Sequence, residues 1–236
     1  MSKILRVGIA GLGRLGRRHA EQLARYTPEA VLLAACSPVT SELDWVREEL
    51  GVQRCHHQLS DLLRDPEIDA VVLVTPTTLH AEQTIACLRA GKHVFVEKPL
   101  SLEVSTCETV ESVAAQYPHL IAMVGFVRRF DPSYVQAKQS IDAGQLGRPF
   151  LVRSQTCDPY DPEGFFVQFA PTSGGIFMDC SIHDIDLARW MLGTPRATKV
   201  FASGTRALYP DLASCADVDN GLAIIEFVDG QRAVLY

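Results

Sequence analysis

No stretch of this 236-residue chain holds the roughly 18 consecutive apolar residues of a membrane-spanning helix. Runs of Lys and Arg are also missing, and the balance is acidic, with 22 Lys+Arg against 28 Asp+Glu and a formal charge of −6. Both features argue against a nucleic acid or an anionic membrane as the main partner. No two of the seven cysteines have Cys-x-x-Cys spacing, so neither a zinc ribbon nor a redox dithiol is indicated. Cys36, Cys55, Cys87, Cys107, Cys157, Cys180 and Cys215 are scattered, several inside apolar runs. They read as reduced thiols serving as small hydrophobes, in a cytoplasmic protein. There is no internal repeat and no low-complexity tract. The start, Met1-Ser2-Lys3-Ile4-Leu5-Arg6, has no charged, apolar and cleavage regions in succession, so no signal peptide is expected.

What is present is an ordinary globular mix, 47% apolar and 21% charged, long enough for one large domain or two modest ones. The first half alternates strand-like and helix-like segments. Strands are expected at 6–10, 30–36, 68–74, 92–96 and 120–124, and helices at 15–25, 42–50, 80–90 and 104–116. Repeated units of this length imply a parallel sheet with helices on both faces. Near Gly125 the pattern changes. Asp131-Pro132 opens a helix to Ala143, and β-type stretches follow at 150–156, 198–203, 221–228 and 232–236, interrupted by one helix at about 178–192. A second domain with a mostly antiparallel sheet is expected. The last residues, Ala-Val-Leu-Tyr, are strand-like, and their pattern reads as a chain cut inside a sheet.

Gly11-Leu12-Gly13-Arg14-Leu15-Gly16 stands after a strand and opens a helix. In that context the glycines permit a tight turn, a close approach by a pyrophosphate and close helix packing; a glycine turn with no ligand uses the same residues. An acid roughly 20 residues further on would bind the ribose 2′-hydroxyl. Here the second strand ends Cys36-Ser37-Pro38-Val39-Thr40 instead. The Ser37 and Thr40 hydroxyls suit either cofactor form and Arg14 could meet a 2′-phosphate, so NAD and NADP both stay open. Thr75-Pro76-Thr77-Thr78-Leu79-His80 follows the strand expected at 68–74, where sheets of this kind meet their ligand; it also reads as a plain connection with a Thr cap.

Lys98, in Glu97-Lys98-Pro99, stands at another strand end, as a crevice lysine or a surface one. Asp179, His183 and Asp186 are spaced by four and three, which would put them on one helical face. A carboxylate beside an imidazole suits general acid–base work on a hydroxyl. Metal ligation lacks a further ligand cluster, and a cap plus a satisfied histidine accounts for the same spacing. His56-His57 is read as a solvated loop.

In this order, the Gly11–Gly16 loop, Ala90-Gly-Lys-His-Val-Phe-Val-Glu-Lys-Pro-Leu100 and Gly174-Gly-Ile-Phe-Met-Asp-Cys-Ser-Ile-His-Asp-Ile-Asp186 resemble the Gfo/Idh/MocA oxidoreductases. Residues 125–134 and 183–190 are most similar to the inositol 2-dehydrogenase branch. The resemblance implies a Rossmann NAD(P)-binding domain over 1–124 and an incomplete α+β substrate-binding domain over 125–236. It implies Lys98, Asp179 and His183 as catalytic residues, a cis Lys98–Pro99 peptide, and Glu97 as a cofactor neighbour. Arg129, Thr156, Asp158 and Asp186 join the catalytic three as substrate-side positions. Ser37 departs from the acid usual in that branch. The resemblance further implies a homo-oligomer and about another hundred residues of chain. The expected activity is hydride transfer between a secondary hydroxyl of a cyclic polyol or sugar and nicotinamide. The alternative is a non-catalytic sensor of NAD(P) or sugar on the same fold.

Overall fold

The computed structural model describes residues 4–236; Met1, Ser2 and Lys3, part of the segment that carries the signal-peptide expectation, lie outside the described residues. Two compact units divide after Gly125. In the first, strands β1 (Leu5–Ala10), β2 (Ala30–Cys36), β3 (Arg54–His56), β4 (Ala70–Leu73), β5 (His93–Val96) and β6 (Ala122–Val124) form one sheet in the order 3-2-1-4-5-6. Every pairing in it is parallel. Helices α1 (Arg14–Arg25), α2 (Thr40–Leu50), α3 (Leu59–Leu63), α4 (Thr77–Arg89) and α5 (Val104–Ala114) make the connections.

The unbroken apolar runs of β2 and β4, and the Val7–Ala10 part of β1, explain the arrangement, since a parallel strand is buried on both faces. One core gathers Leu62, Val71, Leu73, Leu88 and Val96, and the other Ile9, Leu12, Leu43 and Val46. Cys36 and Cys87 lie in the first of these, where burial pushes their thiols up to about 11 and about 12. All seven cysteines are free. His56 is not in a loop: it ends β3, half-buried, and its carbonyl accepts the Ser37 amide at 3.1 Å.

The second unit opens with a 3₁₀ turn at Val127–Phe130 and α6 (Pro132–Asp142), capped by Asp131, which accepts the Ser133 amide at 2.9 Å. Strands β7 (Leu151–Ser154), β8 (Ala197–Thr205), β9 (Asn220–Phe227) and β10 (Arg232–Leu235) pair in the order 7-10-9-8. The β8–β9 and β9–β10 pairings are antiparallel and β7–β10 is parallel, so the sheet is mixed. Its core is Ala188, Leu192, Ile225, Phe227 and Leu235.

Two expectations fail here. A helix α7 (Phe165–Ser173) forms despite Pro171 inside it. The expected single helix at 178–192 is two, α8 (Ile176–Asp179) and α9 (Ile182–Met191). No helix among the described residues is long and apolar enough to cross a membrane.

Candidate functional site

In the first unit the strand order reverses between β1 and β4, and the loops after those two strands meet. Gly11 has φ 89°, and a Cβ there would stand 2.6 Å from the Val74 carbonyl carbon and 2.8 Å from the Thr75 amide nitrogen. A Cβ on Gly16 would stand 2.8 Å from the Gly11 carbonyl carbon, so α1 packs on the loop that precedes it. Gly13 is different: a Cβ there meets nothing within 4 Å. Leu12 is buried, whereas Gly13, Arg14 and Leu15 are exposed. Gly13 caps α1 with no side-chain hydrogen bond, so no side chain competes for the first helical amides. Amides and a positive helix end facing open space fit a pyrophosphate.

At the end of β2, Ser37 is only 1% exposed. Its hydroxyl donates to Glu42 Oε2 at 2.5 Å and accepts the Val39 amide at 3.1 Å. The one proton of the Ser37 hydroxyl is thus held by Glu42.

Beyond β4, Thr75 Oγ1 donates to Gln83 Oε1 at 2.6 Å, Pro76 is exposed, and Thr77 begins α4. No Thr side chain caps that helix. His80 is 2% exposed, and its ring nitrogens face the carbonyl oxygens of Pro99 and Thr75, each at 2.8 Å. It ties the turn after β4 to the turn after β5.

After β5, the Lys98–Pro99 peptide is cis. Glu97 Oε1 accepts from His19 Nε2 on α1 at 2.8 Å, and Oε2 accepts the Lys98 amide at 3.1 Å. Burial pushes the Glu97 carboxyl up, but the hydrogen bond and charge of His19, with the amide and charge of Lys98, outweigh it and hold Glu97 below its ordinary value. His19 had no sequence signal, since it sits 78 positions from its partner.

In the second unit, Asp179 is the last residue of α8 and His183 the second of α9. The one-face spacing of a continuous helix does not apply to them, because the chain turns at Cys180 and Ser181, where the Ser181 amide reaches back five residues to the Ile176 carbonyl. Both side chains are half-buried. Asp186 pairs with Arg129 through two bonds, Nε–Oδ2 at 2.8 Å and Nη2–Oδ1 at 2.7 Å. Arg129 also lies 5.9 Å over the rings of Phe126 and Trp190. The Asp186 hydrogen bond raises its guanidinium above its ordinary value. Thr156 donates to Asp184 Oδ2 at 2.8 Å and accepts from Arg128, which also bonds Asp184. Ser154 also donates to Asp184, so Arg128, Ser154, Thr156 and Asp184 form one polar network, with Ser154 and Asp184 buried and the other two half-buried, that the sequence did not reveal. Asp158 is exposed, 3.9 Å from the Cys180 sulfur. Among the described residues, no group of three His, Cys, Asp or Glu could hold a metal.

Residues 5–126 match the oxidoreductase family with the NAD-binding Rossmann fold, and residues 134–236 match the GFO/IDH/MocA C-terminal domain. The chain belongs to the Gfo/Idh/MocA oxidoreductase family. It is 40% identical to a scyllo-inositol 2-dehydrogenase (NAD(+)) of Bacillus subtilis, covering 98% of this chain and 66% of that protein. It is 35% identical to a myo-inositol 2-dehydrogenase of Thermotoga maritima, covering 98% of this chain and 67% of that one. A Lactobacillus casei scyllo-inositol dehydrogenase solved with NAD(H) and scyllo-inositol bound superposes with a TM-score of 0.92 at 42% identity, over 99% of this chain and 69% of that one. The chain thus spans about two thirds of these Gfo/Idh/MocA relatives.

Proposed function

We propose that this chain is the dinucleotide-binding and catalytic part of an NAD-dependent dehydrogenase acting on a secondary hydroxyl of an inositol-like cyclic polyol. The observation that carries the reading is the 42% identity over 99% of the chain to a family member solved with NAD(H) and scyllo-inositol. Residues 1–124 hold the dinucleotide, with the pyrophosphate at Gly11, Leu12, Gly13, Arg14, Leu15 and Gly16, and Thr75, Pro76, Thr77 and Glu97 as neighbours. NAD, when bound, supplies the acceptor for the hydride that leaves the hydroxyl-bearing carbon.

The chain's own residues do the proton work. His183 accepts the proton of that hydroxyl, Asp179 orients the imidazole and stabilises its charged form, and Lys98 polarises the substrate oxygen. Residues 125–236 bind the polyol. There the Arg129–Asp186 pair offers fixed donors and acceptors to neighbouring hydroxyls, with Thr156 and Asp158 further substrate contacts. The protein works in the cytoplasm as a homo-oligomer, with neither nucleic acid nor membrane as partner.

The test is a panel of cyclitols and sugars with NAD and NADP, followed at the nicotinamide absorbance. Turnover of scyllo- or myo-inositol is expected. His183→Ala is expected to lower turnover by about 10²-fold or more with NAD affinity nearly unchanged, and Lys98→Met to do similar damage. A protein that binds NAD but oxidises no polyol would overturn the reading, and so would a His183→Ala variant with normal turnover.

A further inference from the structure

The second strand of a dinucleotide-binding unit ordinarily ends in the acid that takes the ribose 2′-hydroxyl and repels a 2′-phosphate. In this chain that strand ends in Ser37, and the local fold brings an acid back to the same place from another element. Pro38 breaks the strand, and the Val39 amide bonds the Ser37 hydroxyl at 3.1 Å. Val39 caps α2, and the Glu42 amide donates to its carbonyl at 3.1 Å, which sets Glu42 in the first helical turn. From there Glu42 Oε2 takes the proton of Ser37, 2.5 Å away.

Ser37 is 1% exposed and cannot turn its hydroxyl elsewhere without stranding it. A Glu42 oxygen therefore lies within one hydrogen bond of the atom at which an aspartate in place of Ser37 would begin to extend. The other oxygen, Oε1, accepts no hydrogen bond from the described residues, and Glu42 is half-buried, so a carboxylate face remains to be used. The strand end is also tied to the glycine loop, because the Gly11 amide donates to the Cys36 carbonyl at 2.9 Å.

We infer that Glu42, held by Ser37, is the residue that selects NAD over NADP: its free oxygen accepts the ribose 2′-hydroxyl and its charge repels a 2′-phosphate. This rests on the proposed dinucleotide site at Gly11–Gly16. It replaces the expectation that Ser37, lacking a charge, leaves both NAD and NADP open. Ser37 becomes a positioning residue, acting through Glu42. A helix-capping role alone would use Oε2 and leave cofactor choice untouched, which makes that choice the decisive readout.

The experiment is calorimetric titration of the protein with NAD and with NADP, without substrate, for the wild type and for Glu42→Gln, Glu42→Asp and Ser37→Ala. Glutamine keeps the Ser37 contact through its carbonyl oxygen and so preserves the fold, and a melting curve checks each variant. The wild type is expected to bind NAD at least tenfold tighter than NADP. Glu42→Gln should narrow that ratio tenfold or more, chiefly by tightening NADP. Glu42→Asp and Ser37→Ala, which withdraw or release the carboxylate, should narrow it less. A Glu42→Gln ratio within twofold of the wild type, with NAD binding intact, overturns the role of Glu42 alone. A wild type that binds NADP as well as NAD does the same, whereas a wild type that binds neither overturns the dinucleotide site and this inference together.

Discussion

A methyl group added at Gly13 enters open space, whereas one added at Gly16 runs into the Gly11 carbonyl. Three positions apart in one motif, these glycines differ: the fold requires one at Gly16 and makes no such demand at Gly13. Gly13 has φ −65° and ψ −168°, a backbone any residue adopts. Gly13→Val is therefore expected to leave the melting temperature nearly unchanged and to weaken NAD binding by a factor of ten or more. Gly16→Ala should lose about 2 kcal/mol or more of stability, since backbone rather than a flexible side chain must give way. Urea unfolding beside NAD titration separates the two, and a destabilised Gly13→Val would contradict the open space. At this scale the sequence was legible where a motif fixed both residue type and context, as for the glycine loop and for Glu97-Lys98-Pro99. It was silent on Glu42 and His19, single residues whose roles arise only when another segment comes alongside.

Among the elements, period-based reading succeeded for strands buried on both faces and failed where the helical period is interrupted. The apolar runs at β2 and β4 could be little else, but the Ile176–Met191 segment keeps helical composition through a turn at Cys180–Ser181. The α7 helix, which the sequence reading did not expect, carries Pro171 as its seventh residue, ahead of its Gly174 cap. The Arg128–Asp184 network was hidden for a related reason, since it joins the 3₁₀ turn, the end of β7 and α9 across 56 positions. Its side chains are 18% and 3% exposed. Asp184→Ala strands the Arg128 charge and is expected to cost about 3 kcal/mol or more in urea unfolding; a loss under 1 kcal/mol would show that water replaces the carboxylate.

The His19–Glu97 pair joins α1 to the end of β5 and has a pH signature. Because folding lowers the Glu97 value from about 4.5, its contribution is fully present above that pH and fades as pH falls through the lowered one. Removing His19 takes away part of what opposes burial. His19→Ala should lose about 1–2 kcal/mol at pH 7 and begin acid unfolding at a higher pH than the wild type. An unchanged acid limb would remove His19 from the account of Glu97.

For the whole molecule, the hydrophobic cores divide at Gly125, two in the first unit and one in the second, and the chain's two tryptophans divide with them. Trp45 lies on α2 under the Arg17 guanidinium, 4.8 Å from the ring centre, while Trp190 lies on α9 beside Arg129. Each unit therefore carries its own reporter. A ligand held by the folded state alone adds RT ln(1 + [L]/Kd) to stability, about 2.7 kcal/mol at a hundredfold excess over Kd. If residues 1–124 hold the dinucleotide, that gain enters the transition Trp45 reports. Trp190→Phe leaves Trp45 as the only indole, and the conservative exchange keeps an aromatic ring beside Arg129. Its fluorescence melt is expected to move up by several degrees with saturating NAD, and to stay in place when Gly13→Val is added. A Trp45 transition that NAD does not move, in a protein that calorimetry shows to bind NAD, would place the dinucleotide outside residues 1–124 and take the glycine loop out of the site.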